Sequence, residues 1–288
     1  MSIFEALILG AVQGLTEFLP VSSSGHLVLL QKIFGINEPV LLFDTLVHAG
    51  TLAAVCAVLW KDIWEILRRL NQPLTLFLII ATIPAVIAAL LFSRQIETAF
   101  ATASLLGFFF LVTSLLLLLA ELLGRRKTMT GAAGNQSAAA EKKTGPMQGL
   151  NGEKMTWVDA LTIGLLQALA ILPGISRSGA TLSAGLFRRL EREFAVRFSF
   201  LLSIPVILGS LVFQLKDLFG DSAGSEFSGG TDFITLAAGT VIAAIVGYFS
   251  IRLMLKIVRE RSLLGFAAYT GILGILVLID RFALHLFF

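Results

Sequence analysis

Charge is scarce in this chain of 288 residues, where 14% are Asp, Glu, Lys or Arg and 56% are hydrophobic. With a mean hydropathy of +0.88, that scarcity excludes an ordinary soluble domain, in which about a quarter of the residues are charged. Cysteine is nearly absent too. Cys56 stands alone inside an apolar stretch, so no intramolecular disulfide can form and a structural role is the default. The N-terminus lacks a basic start and leads into a unit that recurs later, so no cleavable signal peptide is expected.

What the chain has instead is apolar blocks of spanning length, since about 20 residues of helix cross the hydrocarbon core. Six conventional spans are read near Leu41–Trp60, Leu74–Phe92, Ala99–Leu123, Ala195–Leu215, Phe233–Ile251 and Leu263–Phe288. Two further apolar segments, Ser2–Phe34 and Thr156–Leu190, are interrupted near the middle. The expected fold is an all-α polytopic membrane protein.

The two interrupted segments are copies of one another. Ser2, Glu5, Gly10, Gln13, Leu15, Ser22, Ser24 and Gly25 recur, identically or conservatively, as Thr156, Asp159, Gly164, Gln167, Leu169, Ser176, Ser178 and Gly179. Each copy opens in capping-box spacing, runs apolar for several turns, and breaks at a proline followed by a hydroxyl-rich, glycine-bearing loop. The copies differ where chemistry is possible. Glu17, Ser23 and His26 correspond to Ile171, Arg177 and Ala180.

Basic residues orient the spans. Lys61, Arg68 and Arg69 follow the first; Arg125, Arg126, Lys127, Lys142, Lys143 and Lys154 the third; Arg252, Lys256, Arg259 and Arg261 the fifth. The positive-inside rule makes those connections cytoplasmic. The connection after the fourth span carries Asp217, Asp221, Glu226 and Asp232 against Lys216, which suits the outer face. Inverted-topology repeats follow. Residues 1–123 form the first, a re-entrant hairpin (2–34) plus three spans; 124–155 form a basic cytoplasmic loop expected to be mobile; 156–288 form the second, with its hairpin at 156–190. Both broken loops then approach the midplane, where unwound backbone is tolerated only in protein or a wet cavity.

Gln13 and Glu17 are four apart, so a helix projects both from one face toward the break at Pro20. A carboxylate inside an apolar segment is a functional candidate, as general base or as ligand of a divalent cation. Ser22, Ser23, Ser24, Gly25 and His26 gather hydroxyls and backbone amides ahead of a second helical arm, an arrangement suited to an anion. His26 adds a group able to act as acid, base or nucleophile. Arg177, between Ser176 and Ser178 and followed by Gly179 and Thr181, suits bidentate recognition of phosphate. Together the loops suit phosphoryl transfer. Asp44 and His48 are read as entrance or helix-start residues, and Pro84 and Pro205 as kinks in their spans.

Gln13-Gly14-Leu15-Thr16-Glu17-Phe18-Leu19-Pro20-Val21-Ser22-Ser23-Ser24-Gly25-His26, with Pro173-Gly174-Ile175-Ser176-Arg177-Ser178-Gly179-Ala180-Thr181, closely resembles the bacterial undecaprenyl-diphosphate phosphatase family, also called the bacitracin-resistance family. The resemblance covers essentially the full length. Where the family has Glu or Gln, three residues, then Glu, this chain has Gln13 and Glu17, leaving one carboxylate of the pair. The resemblance implies removal of the terminal phosphate from the C55 isoprenyl diphosphate, recycling the lipid carrier for cell-wall synthesis and conferring bacitracin resistance. It also implies a divalent cation, Mg2+ or Ca2+, a homodimer, and a site opening to the outer face of the bacterial plasma membrane. Expected catalytic residues are Glu17, Ser23, His26 and Arg177, with Glu17 also the candidate metal ligand. Gln13, Ser22, Ser24, Gly25, Gly174, Ser176, Ser178 and Thr181 are expected to bind substrate, and no nucleic-acid partner is expected. A rival class is a lipid transporter or flippase, because broken midplane helices in inverted repeats are common in transporters. The unequal contents of the two loops favour an enzyme.

Overall fold

The computed structural model describes residues 1–36, 40–130, 155–219 and 232–287. Most of the loop read over 124–155, and the acidic residues Asp221 and Glu226, lie outside the described residues. Among the described residues the regular structure is entirely helical.

The first interrupted segment forms α1 (Ile3–Thr16) and α2 (Ser23–Ile33). The expected capping box is present: the Ser2 hydroxyl accepts from the Glu5 amide at 3.3 Å, and the Ser2 amide donates to the Glu5 carboxylate at 2.7 Å. α2 is capped in turn by Ser22, whose hydroxyl accepts from the Gly25 amide, one of the donors a helix start would otherwise leave unpaired. Next come α3 (Leu41–Val58), α4 (Trp60–Arg68), α5 (Pro73–Leu91), α6 (Ser93–Thr102) and α7 (Leu106–Thr130).

The second interrupted segment has the same local construction. It forms α8 (Trp157–Leu169) and α9 (Arg177–Phe187), with Thr156 and Asp159 in a capping box and the Ser176 hydroxyl accepting from the Gly179 amide at 3.0 Å. The chain continues as α10 (Arg192–Phe219), α11 (Phe233–Glu260) and α12 (Leu264–Ile279), followed by a short π-helical turn, Asp280–Leu284. Pro84 and Pro205 lie within α5 and α10.

Among the described residues, six helices are long and apolar enough to cross a membrane: α3, α5, α7, α10, α11 and α12. Their outer faces remain apolar, as on α5, where Leu76, Ile79, Ile83, Val86, Ile87 and Leu90 are all exposed. An exposed stripe of that kind is stable against lipid and not against water.

Two boundaries differ from the sequence reading. The third span begins at Leu106 and not at Ala99, because Ala103 takes a left-handed conformation (φ 48°) that ends α6 and turns the chain before α7. The basic stretch after the first span is itself a helix, α4, with Trp60 and Trp64 stacked and exposed and the Arg68 guanidinium 4.7 Å from the Trp64 ring centre. Hydropathy alone misses it because half its face is charged, which is the pattern of a helix lying at an interface.

Close backbone approach fixes the packing. A Cβ on Gly10 would lie 2.3 Å from the Gly239 carbonyl oxygen, so α1 rests directly on α11; one on Gly164 would lie 2.6 Å from the Ala81 carbonyl oxygen, so α8 rests on α5. Each opening helix therefore lies on the second long helix of the other half. Gly107 and Gly274 bring α7 and α12 together in the same way, and the Ser114 hydroxyl donates to the Ala267 carbonyl at 2.6 Å across that contact.

The core lies between the halves, with Phe18 edge-on to Phe200 at 5.4 Å and Phe194, Phe198, Leu182 and Leu202 buried around them. Ion pairs tie the helices at one end: Arg197 to Asp62 (3.1 Å) and Glu193 (3.2 Å), Arg259 to Glu193, and Arg192 to Glu121 (2.7 Å). Arg188 pairs with Asp159 at the start of α8, which is how this end of the second hairpin is anchored.

Candidate functional site

The two breaks bring the loops together. Gln13 and Glu17 project from one face at the end of α1, as their spacing requires, and the Gln13 amide donates to Glu17 Oε2 at 3.0 Å. The helix stops there because Pro20 has no amide to donate. The chain re-enters helix at Ser22, held at φ 72°, a left-handed conformation that costs a residue with a Cβ about 1–3 kcal/mol. That turn places Ser23 at the start of α2 with its hydroxyl donating to Glu17 Oε2 at 2.6 Å.

In the second loop Gly174 takes φ 101°, and a Cβ there would lie 2.8 Å from Phe109 Cβ. Glycine is required on both counts. Arg177 then opens α9, and its Nη2 donates to Glu17 Oε1 at 2.6 Å. Glu17 thus carries Arg177 on one oxygen and Gln13 and Ser23 on the other. His48 Nε2, from α3, stands 3.9 Å from the same Oε2.

This cluster is sequestered: Glu17 is 6% exposed, and the Arg177 side chain 13%. Removing one partner of such a pair would strand a buried charge, at a cost of about 3–5 kcal/mol. Two polar atoms are left over. Arg177 Nη1 and Gln13 Oε1 are buried with no hydrogen-bond partner among the described residues. A buried guanidinium donor with no acceptor is the feature a phosphate oxygen would satisfy.

The remaining expected residues divide between the site and its supports. Ser178 donates to the Leu19 carbonyl at 2.9 Å and lies 3.2 Å from the Ser176 hydroxyl, stitching the second loop to the first. Gly25 faces Gly174 across the junction, since a Cβ on it would lie 3.0 Å from Gly174 Cα. Ser24 lies 3.5 Å from Ser22 through their hydroxyls. Thr181 bonds the Arg177 carbonyl one turn back and meets Ser199 at 2.6 Å, so its hydroxyl is engaged in holding α9 against α10.

His26 is not drawn to Glu17. Its Nδ1 bonds the Ser22 carbonyl at 2.7 Å, its Nε2 meets the Tyr269 hydroxyl at 2.7 Å, and its ring stacks on Tyr269 with centroids 5.6 Å apart. A carbonyl can only accept, so Nδ1 carries the proton and Nε2 accepts from Tyr269. The histidine that does approach Glu17 is His48, read from the sequence as an entrance residue. Its position was signalled only weakly, by a histidine inside a span one turn after Asp44. Nδ1 of His48 donates to the Asp44 carbonyl, which turns Nε2 toward Glu17. Asp44 itself accepts from Gln31 at 2.9 Å, joining α2 to α3.

Fold and site together define a class: a polytopic α-helical membrane protein with an Arg–Glu–Ser centre buried between two broken helices. Comparison with known proteins narrows it, because the family model described as "Bacitracin resistance protein BacA" matches residues 6–276. The chain belongs to that family. It is 44% identical to the undecaprenyl-diphosphatase of Carboxydothermus hydrogenoformans over 97% of both chains. Similar relatives include the undecaprenyl-diphosphatase of Halothermothrix orenii, 37% identical over 97% of this chain and 98% of the relative. Undecaprenyl-diphosphatase 3 of Bacillus cereus is 40% identical over 98% of each.

Proposed function

We propose that this chain is an integral membrane phosphatase that hydrolyses undecaprenyl diphosphate to undecaprenyl phosphate and inorganic phosphate. Relatives of matching length carry that activity in their names, and the chain shares their family. The observation that carries the reading is the Glu17 carboxylate, held at 2.6 Å by Arg177 from one loop and by Ser23 from the other, with Arg177 Nη1 left over for a phosphate oxygen.

The chemistry follows from those contacts. Arg177 and the amides at the starts of α2 and α9 take the diphosphate, while the polyprenyl tail stays in hydrocarbon. Ser23 Oγ passes its proton to Glu17 and bonds to the terminal phosphorus as the bridging P–O bond breaks. Undecaprenyl phosphate leaves with the bridging oxygen. Water then attacks the phosphoserine as Glu17 returns the first proton to the departing Ser23 Oγ, and the water's protons leave with the phosphate, so that Ser23, ionised Glu17 and inorganic phosphate are regenerated. His26 acts in this scheme through the loop and not as the nucleophile.

A divalent cation, Mg2+ or Ca2+, belongs to the same proposal. No group of three or more His, Cys, Asp or Glu able to hold a metal is found among the described residues. Glu17, the Ser23 hydroxyl and the unpartnered Gln13 Oε1 nevertheless form an oxygen donor set suited to a hard cation that shares its shell with phosphate. Such a cation would neutralise charge on the phosphoryl oxygens. The inverted topology, the outward-opening site in the bacterial plasma membrane and the homodimer are likewise proposed, from the charge pattern and the family resemblance. Impermeant labelling of cysteines placed at Ser137 and Ser222, both outside the described residues, reads the topology, with Ser222 reached from outside and Ser137 from inside.

The decisive experiment is phosphate release from the C55 diphosphate by the purified protein. Release that requires Mg2+ or Ca2+ and is lost in Arg177→Ala supports the reading. Translocation of the intact lipid without hydrolysis would replace it with the transporter.

A further inference from the structure

The loops are each held by a side chain from the opposite half. Thr113, on α7 of the first half and 1% exposed, bridges the second loop: its hydroxyl donates to the Gly174 carbonyl at 3.0 Å and accepts from the Ser176 amide at 2.9 Å. These two groups flank the turn where Gly174 takes positive φ, directly before Arg177. Tyr269, on α12 of the second half, serves the first loop. Its hydroxyl donates to His26 Nε2, and the His26 Nδ1–H donates to the carbonyl of Ser22, the residue held at φ 72° directly before Ser23.

The helices that carry Thr113 and Tyr269 are themselves one unit. Gly107 and Gly274 let α7 and α12 touch through their backbones, and Ser114, next to Thr113, donates to the Ala267 carbonyl two residues from Tyr269. One rigid pair therefore reaches both breaks. The two residues it positions, Ser23 and Arg177, are those that converge on Glu17.

We propose that Thr113 and Tyr269 are positioning residues, two crossed latches on the α7–α12 pair that set the reach of Arg177 and of Ser23 toward a common phosphate. Neither touches the reacting atoms; each acts through the backbone turn beside the residue that does. The proposal rests on the phosphatase reading above. It also makes a claim about loop rigidity that stands apart from activity.

The test pairs turnover with hydrogen exchange. Thr113→Val keeps the side-chain volume and removes both hydrogen bonds; Tyr269→Phe keeps the stacked ring and removes one. Each is expected to lower kcat by about 10-fold or more while KM moves by less than about 3-fold, because misplacement of a catalytic group acts on the chemical step. Exchange should quicken over 172–180 in Thr113→Val and over 19–28 in Tyr269→Phe, in each case without the other. Thr113→Ser, which keeps the hydroxyl, should recover most of the turnover.

Unchanged exchange and turnover in both variants would overturn the latches, as would faster exchange with undiminished kcat, or a serine variant as impaired as the valine one. If Thr113→Val fails to fold, Tyr269→Phe, at a half-exposed position, carries the test alone. An inactive unsubstituted protein that still shows the two separate exchange effects would keep the latches and discard the phosphatase reading.

Discussion

Arg177 Nη2 and Glu17 Oε1 meet at 2.6 Å although 160 positions separate them in the chain. Each sits at a helix break, so the pair forms only when both hairpins are in place. It is a fold contact and a reporter of the site at once.

Replacing Arg177 by lysine tests what the guanidinium does beyond its charge. An ammonium can pair with Glu17 but cannot offer a second, fixed donor to phosphate as Nη1 can. Arg177→Lys is expected to stay inserted and folded and to lose about 100-fold or more in kcat, the scale seen when one preorganised donor is removed. Turnover close to that of the unsubstituted protein would exclude the forked role.

Glu17 and Ser23 share a hydrogen bond of 2.6 Å, and in the proposed reaction they move one proton between them. Glu17→Gln and Ser23→Ala should each nearly abolish phosphate release, and the double variant should be little worse than either, as for residues acting as a unit. His26 has different partners, Ser22 and Tyr269. Because it sets Ser23 through the Ser22 turn, His26→Ala should cost less than Ser23→Ala on its own and add little further loss when combined with Glu17→Gln. A His26→Ala loss larger than that of Ser23→Ala, beside an additive Ser23→Ala cycle, would move the nucleophile from Ser23 to His26.

The helix contacts give a prediction about stability alone. Gly164→Val would drive a Cβ to 2.6 Å from the Ala81 carbonyl oxygen, where backbone must yield, whereas a Cβ on Gly265 meets nothing within 4 Å. The valine variant should lose about 1–3 kcal/mol or fail to accumulate. Gly265→Ala should instead hold or gain up to about 1 kcal/mol from helix propensity. Melting temperatures of the two variants in one detergent decide it; equal values would mean that α8 and α5 do not rest on each other as described.

Much of this was legible in the sequence, for physical reasons. Span length and hydropathy are properties of single segments, so five of the six long helices begin within a few residues of their expected positions. The convergence of Glu17, Ser23 and Arg177 was legible because charge and hydroxyls are costly within apolar segments and stand out against that background. What stayed hidden depends on partners far along the chain. Thr113 and Tyr269 are ordinary residues for a span, and only the packing of α7 on α12 aims them at the loops. His48 was visible as a histidine, but its approach to Glu17 needs α3 packed against α1. The left-handed turn at Ala103 had no glycine or proline to announce it.

The sharpest test of the unequal site exchanges contents between the loops. Ser23 and Arg177 occupy corresponding places, each the first residue of the helix that follows its break. Ser23→Arg combined with Arg177→Ser keeps the charge count and keeps a cation near Glu17. It moves the hydroxyl nucleophile, however, to the loop that lacks the Gln13 and Glu17 pair on its own helix, and it places the guanidinium where Ser23 now donates to Oε2. Phosphate release should fall by more than about 100-fold, because nucleophile, base and clamp no longer line up on one phosphorus. A symmetric carrier that only passes a phosphate-bearing lipid between equivalent loops would tolerate the exchange. Proteoliposomes assayed in parallel for phosphate release and for lipid translocation separate the cases. Hydrolysis retained in the exchanged variant would mean that the two loops are interchangeable and that the division of labour between Ser23 and Arg177 is not what makes the site.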